Sequence, residues 1–310
     1  MKKRVLIWGF YDQGNLGDDL MALMFAELVK QSGATPVICS QNIELSKYGY
    51  EISDDPFNAK MDIIFLGGGA FFKKRSSSKS VIEDKVLKLA DYLDGNPVPI
   101  YGLSLGGDGI DQIDQASPNR QRIISSKGFR GSTVRLRKNL NLGPSNLTFL
   151  PDIVLCTAHF CHEIMGWEVP DENTPRLGAL LNFSRRSFTS FLKILLRTRG
   201  SQIALFQAHA SKSASGGELS LPGVKNYRAD NIRSALSVIA ASEVIYSSKL
   251  HPGIIALSFG VPFHPIGSRP KTMDFFKDFD LEDFKVNPQY FQSDLWSKYL
   301  DQVSFILRYR

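Results

Sequence analysis

A basic turn between a strand and a helix is the part of the chain best suited to chemistry. The pattern of residues 243–262 predicts a strand, a short polar turn and a helix that opens near Pro252. Lys249 and His251 lie in the turn, so a fixed cation and a titratable imidazole precede a helix N-terminus. The free N–H groups and the dipole of that helix end attract anions. We interpret this turn as the centre of an active site.

Other basic residues follow neighbouring strands of the same predicted sheet. Arg185 and Arg186 come after the first strand of the second half, and His209 comes after the next. Because the carboxyl ends of parallel strands meet at one edge, these side chains are expected to converge with Lys249. Such a cluster suits a small anion with several charges. For each basic residue taken alone, a solvated surface side chain is the favoured interpretation, and only the cluster favours a ligand site.

The first glycine-containing loop, residues 9–19, is typical of a turn rather than of a phosphate site. It lacks both the dinucleotide-binding glycine spacing and the lysine of a P-loop. Asp18 and Asp19 would repel a phosphate at the start of the following helix, and one of them is expected to cap it. Contact of Asn15 or Asp12 with a substrate is the alternative.

Two more glycine-rich loops follow predicted strands in the first half, at residues 67–69 and 104–109. Glycine lets the backbone approach a ligand or a neighbouring element closely. Gly68, Gly69 and Gly106 are therefore predicted to line a smooth wall that suits a sugar or another extended acceptor. The pattern does not specify the ligand.

Strands and helices alternate through all 310 residues, which predicts parallel sheets built from βαβ units. The chain is long enough for two domains of about 150 residues each. A polar stretch at 166–176 is expected to link an N-terminal acceptor-side domain, 1–170, to a C-terminal donor-binding domain, 171–310. The predicted fold class is α/β, with two Rossmann-like, doubly wound domains facing across a cleft.

Individual elements follow from apolar runs and from helical spacing. Strands are predicted over residues 4–10, 35–40, 62–66, 98–105, 132–136, 147–155, 177–183, 203–207, 243–247 and 262–266. Helices are predicted over residues 18–31, 81–94, 187–198, 230–241, 252–260 and 293–309, and the last is expected to pack back across the domain junction. The Ser- and Gly-rich stretch 211–222 is expected to be a mobile loop at the cleft.

Composition limits the class of protein. A net charge of +6 favours an anionic ligand or an acidic membrane surface, but the basic residues form no stripe that would indicate nucleic acid. Three cysteines are too few for a disulfide framework, which favours a cytoplasmic setting. The apolar start of the chain is too short for a signal peptide, and no run is long enough to span a membrane. Membrane contact is expected to be peripheral only.

A cluster of potential zinc ligands occurs at Cys156, His159, Cys161 and His162. Its spacing matches no common zinc motif. A helix that carries these residues incidentally is the favoured interpretation, and no metal site is predicted.

The ordered set of loops resembles the polysaccharide pyruvyltransferase family. The residues that carry this resemblance are Gly14-Asn15-x-Gly17-Asp18-Asp19, Ile64-Phe65-Leu66-Gly67-Gly68-Gly69, Val134-Arg135, Pro151-Asp152, Ser248-Lys249-Leu250-His251, Gly260-Val261-Pro262 and Lys271. The family is similar in fold to two-domain GT-B glycosyltransferases. It usually has Arg-Leu-His-Gly where this chain has Lys249-Leu250-His251-Pro252, and lysine lacks the planar bidentate fork of arginine. The usual Asp-Glu pair is Asp18-Asp19 here.

The resemblance implies transfer of a pyruvyl group from phosphoenolpyruvate to two hydroxyls of a sugar, as a cyclic ketal in exopolysaccharide or cell-surface glycan synthesis. His251 is the expected general acid, and Lys249 with Arg185 or Arg186 would hold the phosphate and carboxylate. The further substrate-binding candidates are Ser248, His209, Lys271, Asn15, Asp18, Gly68, Gly69 and Gly106. No cofactor is expected, since phosphoenolpyruvate is a substrate.

Two other functions stay open at the level of the sequence. A GT-B glycosyltransferase could place the diphosphate of a nucleotide sugar on the same helix N-terminus. A non-catalytic saccharide-binding relative is the second alternative, with lysine in place of arginine as a mark of lost activity. The expected partners are the donor and a saccharide acceptor, which could be lipid-linked at the inner face of the membrane. The oligomeric state is not predicted.

Overall fold

The structure is a computed structural model of the 310-residue chain. It describes residues 2–74, 81–143, 146–170, 177–183, 194, 202–209, 223–267, 270–279 and 289–308. The predicted helix 187–198, apart from Ile194, and the predicted loop 211–222 lie outside these residues. Arg185 and Arg186 also lie outside them.

The described chain alternates strands with helices. The strands are β1 Arg4–Trp8, β2 Thr35–Cys39, β3 Glu51–Ser53, β4 Ile63–Gly67, β5 Phe72–Lys73, β6 Ile100–Leu105, β7 Gly107–Asp108, β8 Phe129–Val134, β9 Leu147–Phe149, β10 Leu177–Asn182, β11 Ile203–Gln207, β12 Lys225–Arg228, β13 Ser242–Ser247 and β14 Phe263–Pro265. The helices are α1 Leu16–Gln31, α2 Ile43–Ser46, α3 Val81–Gly95, α4 Pro118–Ser125, α5 Thr157–His159, α6 Ile232–Ala240, α7 Leu250–Ser258, α8 Pro270–Asp278 and α9 Gln289–Arg308.

The first large sheet is parallel and runs in the order β3-β2-β1-β4-β6-β8-β9. Strands β2 and β3 extend the sheet on one side of β1, and strands β4, β6, β8 and β9 extend it on the other side. β4 is buried along its whole length, which explains its continuous apolar run. Residues Phe72–Lys73 and Gly107–Asp108 pair separately as a short two-stranded sheet.

The second sheet is also parallel, with the order β12-β11-β10-β13-β14. Its order reverses between β10 and β13, as it does between β1 and β4 in the first sheet. In doubly wound sheets this reversal opens a crevice at the carboxyl ends of the two central strands. The predicted α/β class with two Rossmann-like parallel sheets is confirmed.

The chain divides into two compact units. Unit 1 comprises Met1–Tyr11, Met21–Asp152 and Tyr299–Arg310. Unit 2 comprises Asp12–Leu20 and Ile153–Lys298, so the turn before α1 and the first residues of that helix belong with the second sheet. The sequence predicts domains that comprise residues 1–170 and 171–310, and these limits stay a prediction. The compact units divide the chain at other residues.

Both helices at the predicted active site begin earlier than expected. The helix predicted from residue 18 begins at Leu16, and the helix predicted from Pro252 begins at Leu250. Asp18 and Pro252 each occupy the third helical position, where the backbone N–H has no partner within the helix and both residue types are tolerated. The expectation that Asp18 or Asp19 caps α1 is therefore wrong, because both lie inside the helix.

Two short edge strands, β3 and β12, were not predicted. Lys225–Arg228 is polar and partly exposed, so it lacks the apolar run that marks a central strand. Glu51–Ser53 is three residues long and likewise partly exposed. The strand predicted over residues 147–155 is shorter, because it ends at Phe149 and Ile153–Cys156 forms a 3₁₀ turn.

A buried ion pair secures unit 1 at the end of its sheet. Arg135 Nη1 donates to Asp152 Oδ2 at 2.7 Å, and the two residues are only 4% and 1% exposed. Arg135 also lies against Gly106, where an added Cβ would come within 2.5 Å of its Nε. Removing the carboxylate would leave a buried guanidinium without its counter-charge, which is among the costlier changes in a protein interior.

We expect Asp152→Asn to lower the free energy of unfolding by about 3–5 kcal/mol, because Arg135 would stay buried without its counter-charge. Urea denaturation of the variant and of the parent protein measures the difference. The matched control is Asp91→Asn at the exposed Arg122 pair, which should leave the urea midpoint unchanged. Equal midpoints for Asp152→Asn and the parent would show that the buried pair does not stabilise the unit.

Candidate active site

The basic turn lies at the reversal of strand order in unit 2. β13 ends at Ser247, Ser248 follows, and Lys249 is the N-cap of α7. β13 pairs in parallel with β10, so the turn lies at the carboxyl end of a central strand pair. His251 is the second residue of α7, where a backbone N–H has no acceptor within the helix. The fold therefore places Lys249 and His251 where doubly wound sheets bind ligands.

A buried amide fixes the conformation of this turn. Asn182 and Ser247, the last residues of β10 and β13, are each 1% exposed. The Ser247 Oγ lies 3.1 Å from Asn182 Oδ1 and 2.8 Å from the Lys249 carbonyl oxygen, which share its single proton, and it accepts from the Lys249 N–H at 3.0 Å. Asn182 Nδ2 donates to the carbonyl of Phe206, at 2.8 Å. The amide thus links three adjacent strands, and the position of Lys249 depends on it.

The start of α1 lies against the same edge of the sheet. The Leu16 N–H donates to the carbonyl of Ala208 at 3.0 Å, and Asn15 forms an isolated antiparallel bridge with His209. The carbonyl of Asn15 accepts the first helical hydrogen bond, from the N–H of Asp19. The first turn of α1 is thereby fixed beside the residue that follows β11.

The first turns of α1 and α7 are in direct contact. A Cβ placed on Gly17 would lie 2.0 Å from His251 Nδ1 and 2.4 Å from His251 Cβ, so glycine is required for the ring to lie where it does. Asp18 Oδ1 is 3.9 Å from His251 Nδ1, and Asp18 Oδ2 accepts a 2.7 Å hydrogen bond from Asn15 Nδ2. Two helix N-termini thus converge on one imidazole.

Lys249 and His209 are in contact, with Nζ and Nδ1 separated by 2.6 Å. A protonated lysine and a doubly protonated imidazole cannot hydrogen-bond to each other, because neither then has an acceptor. With Lys249 as the ammonium donor, His209 accepts through Nδ1 and carries its proton on Nε2. The pair then presents a cation and a neutral N–H donor side by side, a combination that suits an oxyanion.

The hydroxyl of Ser248 is a further polar group in the turn. Ser248 is 5% exposed, and its Oγ is buried without a hydrogen-bond partner in the described part of the chain. Buried hydroxyls in native proteins are usually paired, so this one calls for an explanation. A ligand oxygen at the N-terminus of α7 would supply the missing partner.

The structure places the remaining predicted residues in different parts of the chain. Gly68, Gly69 and Gly106 belong to unit 1, where Gly68 and Gly69 adopt φ values of 63° and 72°. An added Cβ at Gly68 would lie 2.3 Å from Met21 Sδ, so the packing of Met21 requires glycine at this position. Lys271 belongs to unit 2 and lies in the first turn of α8, partly buried.

Two residues that shape the site are not predicted from the sequence. Asn182 has the pattern of the polar end of a strand, and its partners Phe206 and Ser247 are distant in sequence. Gly17 belongs to a motif that carries the family resemblance, but its close contact with His251 is visible only in the structure. Sequence spacing carries no signal for either contact, since each joins segments that only the fold brings together.

The Cys–His cluster has a structural role in unit 2. Cys156 and Cys161 are buried, and His162 is exposed. Burial raises the pKa of the Cys161 thiol well above its usual range, which disfavours the thiolate that metals and electrophiles require. Burial also lowers the pKa of His159, against the opposing charge of Glu163. Among the residues that the structure describes, no three His, Cys, Asp or Glu side chains are grouped as metal ligands would be.

The buried side chain of Gln292 connects this cluster to α7. Its Oε1 accepts from the N–H of His159 at 3.0 Å, and its Nε2 donates to the carbonyl of Ser258 at 2.7 Å. The thiol of Cys156 donates to the backbone carbonyl of Gln292 at 3.4 Å. These bonds hold the C-terminal end of α7 in place while its N-terminal end forms the site.

The helices of the described residues include none with the length and apolar character needed to cross a bilayer.

Two parallel α/β sheets, each with its order reversed at the centre, define a protein of the two-domain Rossmann-like class. Solved structures of other proteins match this fold over nearly the whole chain. The S. aureus MnaA–UDP co-structure matches with a TM-score of 0.58 and 11% identity, covering 99% of this chain and 97% of that one. The UDP-GlcNAc 2-epimerase from Methanocaldococcus jannaschii, in complex with UDP-GlcNAc and UDP, gives 0.57 and 11% over 100% of both chains. At this identity the likeness shows the fold alone.

The family follows from the sequence model. The model of the polysaccharide pyruvyl transferase family matches residues 15–270, so the chain belongs to that family. The matched region begins at Asn15 and includes His209, Lys249 and His251, the residues that meet at the start of α7. A search of curated protein sequences gives no match.

We expect Asn182→Ala to lower the free energy of unfolding of unit 2 by about 1–3 kcal/mol, because it leaves the Phe206 carbonyl without its donor in a buried site. Chemical denaturation measures the change. Ser237→Ala is the matched control, since the Ser237 hydroxyl makes an exposed hydrogen bond on α6 and should matter little. An Asn182→Ala protein as stable as the control would contradict the role of the amide.

Proposed function

We propose that the protein transfers the pyruvyl group of phosphoenolpyruvate to two hydroxyls of a saccharide and forms a cyclic ketal. The observation that carries the proposal is His251, held in the first turn of α7 against the first turn of α1 and next to the Lys249–His209 pair. Membership of the pyruvyl transferase family supports it. The proposed setting is cytoplasmic, in exopolysaccharide or cell-surface glycan synthesis, on acceptors at the inner face of the membrane.

The donor carries a phosphate and a carboxylate, and unit 2 offers groups for both. The first turn of α7, in which Pro252 has no N–H, presents the positive end of the helix dipole, which attracts one oxyanion. Lys249 adds a fixed cation, the neutral His209 adds an N–H donor, and Ser248 adds a hydroxyl. Arg185 and Arg186 follow β10, the partner of β13, and remain candidates for the second anionic group.

The proposed chemistry adds one proton to the donor and removes one from each of the two sugar hydroxyls. Protonated His251 gives its proton to the methylene carbon of the donor, which becomes a methyl group while the adjacent carbon becomes electrophilic. A sugar hydroxyl attacks that carbon and returns its proton to His251. A second hydroxyl of the same sugar then attacks the same carbon, the bond to the phosphate oxygen breaks, and the proton of this hydroxyl leaves with the phosphate as the ketal closes. Lys249 and the helix N-terminus stabilise the charge on the departing phosphate. The scheme calls for no cofactor.

Use of a nucleotide sugar is the second candidate function. The fold neighbours include proteins solved with UDP or UDP-GlcNAc, and a diphosphate could rest on the N-terminus of α7 in the same manner. A binding test that compares phosphoenolpyruvate with a nucleotide sugar separates the two candidates, and it does not require the acceptor to be known.

We expect phosphoenolpyruvate to raise the melting temperature of the protein, because a ligand that binds only the native state stabilises it, by about 2.7 kcal/mol at a hundredfold excess over Kd. UDP-, GDP- and CMP-sugars should give no shift. Lys249→Ala should abolish the shift, and Lys88→Ala, which removes an exposed lysine of α3, should retain it. A shift with a nucleotide sugar instead of phosphoenolpyruvate would make the protein a glycosyltransferase.

We expect His251→Ala to bind phosphoenolpyruvate with near-parental affinity and to lose turnover by about 10²–10⁴-fold, the usual contribution of a general acid. Phosphate release in the presence of methyl glycosides of galactose, glucose, mannose and N-acetylmannosamine measures turnover. The thermal shift of the variant with phosphoenolpyruvate serves as the binding control. Parental turnover in His251→Ala would exclude the histidine as the acid.

A further inference from the structure

We infer that Asp18, held by Asn15, is a positioning residue that keeps a proton on Nδ1 of His251 and leaves Nε2 as the nitrogen that exchanges protons. The inference deepens the proposed function and rests on it for the use that His251 makes of that proton. The placement of the proton itself is argued from Asp18, Asn15 and Gly17 and needs no substrate, so it can be tested separately.

The carboxylate of Asp18 is the acidic group that the structure places at Nδ1 of His251. The 3.9 Å between Oδ1 and Nδ1 is an ion-pair distance, longer than a hydrogen bond, and both side chains are largely buried, with exposed fractions of 13% and 11%. Catalytic hydrogen bonds are commonly long in the absence of substrate and shorten in the reactive complex. A carboxylate oxygen accepts only, so a hydrogen bond formed when this distance shortens requires Nδ1 to be the donor.

Asn15 determines which way the Asp18 carboxylate is turned. Its Nδ2 donates to Oδ2 of Asp18 at 2.7 Å, which leaves Oδ1 on the side of His251. The backbone of Asn15 is itself fixed by its bridge to His209 and by the hydrogen bond from Leu16 to Ala208. The carboxylate is therefore oriented by groups anchored on β11, not only by its own helix.

Gly17 makes the arrangement sterically possible. His251 ring atoms occupy the space of a side chain at residue 17, with Nδ1 at 2.0 Å and Cγ at 2.2 Å from the position of a Cβ. Any side chain there would push the imidazole away from Asp18. Gly17 has no positive φ, so the requirement for glycine comes from the ring and not from the backbone conformation.

The charges around His251 make Asp18 the acidic member of a mainly basic site. Lys249 precedes His251 on α7, and His209 contacts Lys249 from the end of β11. Asp19 follows Asp18 on α1 and is 4% exposed. Without Asp18, the basic turn would lose the carboxylate that lies 3.9 Å from the imidazole.

The decisive variant is Asp18→Asn. Asn15 Nδ2 can donate only to the amide oxygen of the new side chain, so the new NH₂ group would face His251. Nδ1 would then have to accept, and the proton would move to Nε2. The substitution keeps the size of the side chain and reverses the hydrogen-bond polarity at a single nitrogen.

We expect a long-range ¹H–¹⁵N correlation spectrum of the ¹⁵N-labelled protein, at a pH where the ring is neutral, to show the Nδ1–H tautomer of His251. Asp18→Asn should convert it to the Nε2–H tautomer, and Glu243→Gln, which removes an exposed carboxylate of unit 2, should not. His251→Ala assigns the signal among the five histidines. An Nε2–H tautomer in the parent protein, or an unchanged tautomer in Asp18→Asn, would overturn the inference.

Kinetics give the second measurement. We expect Asp18→Asn to lower kcat about 10²-fold or more, with the KM for phosphoenolpyruvate little changed. A ring whose Nδ1 accepts from an amide N–H cannot also carry the second proton that the acid must give, while the anion site is kept. Gly17→Ala should do the same by displacing the ring, whereas Gly95→Ala, where nothing lies near the added methyl, should behave as the parent. A parental kcat in Gly17→Ala or Asp18→Asn would contradict the positioning role.

The two sets of measurements separate the inference from the proposed function. An Asp18-dependent Nδ1–H tautomer in a protein that does not bind phosphoenolpyruvate would confirm the proton placement and remove the proposed donor. Binding and turnover of phosphoenolpyruvate with the tautomer independent of Asp18 would keep the function and remove the positioning role.

Discussion

The hydrogen bond from the N–H of Leu16 to the carbonyl of Ala208 is the contact on which the candidate site depends. It attaches the first turn of a helix near the start of the chain to the end of a strand almost two hundred residues later. Gly17 and Asp18 follow directly, and the bond therefore determines that they meet His251. It also explains why Asp12–Leu20 form one compact unit with the second sheet.

The positive potential of the site comes only in part from protonated side chains. Two helix N-termini supply partial charges that do not titrate, and the contact between Lys249 and His209 admits only one bridging proton. A site built in this way attracts oxyanions without stacking several full cations against one another. In the proposed arrangement, the carboxylate of Asp18 offsets the charge of a protonated His251 and does not neutralise the anion site, because it is turned toward Asn15 and His251.

The central strands and the basic turn could be predicted from the sequence, because buried parallel strands are apolar throughout and Lys249 and His251 directly follow one. The edge strands β3 and β12 could not, since polar residues such as Lys225 and Asn226 give no apolar run. The starts of α1 and α7 were misplaced because Asp18 and Pro252 are typical of any position in a first helical turn. The role of Asn182 arises from partners on two other strands, which no local pattern encodes.

The close approach of Gly17 to His251 also constrains how the family can diverge. Two residues more than two hundred positions apart share one volume, so a side chain can be gained at residue 17 only in a lineage that has already given up or moved the imidazole at residue 251. The reverse change meets the same obstacle, because an imidazole cannot return once the space is filled. The two positions are therefore coupled by sterics, and a larger residue at 17 changes the position of the imidazole as well as the packing.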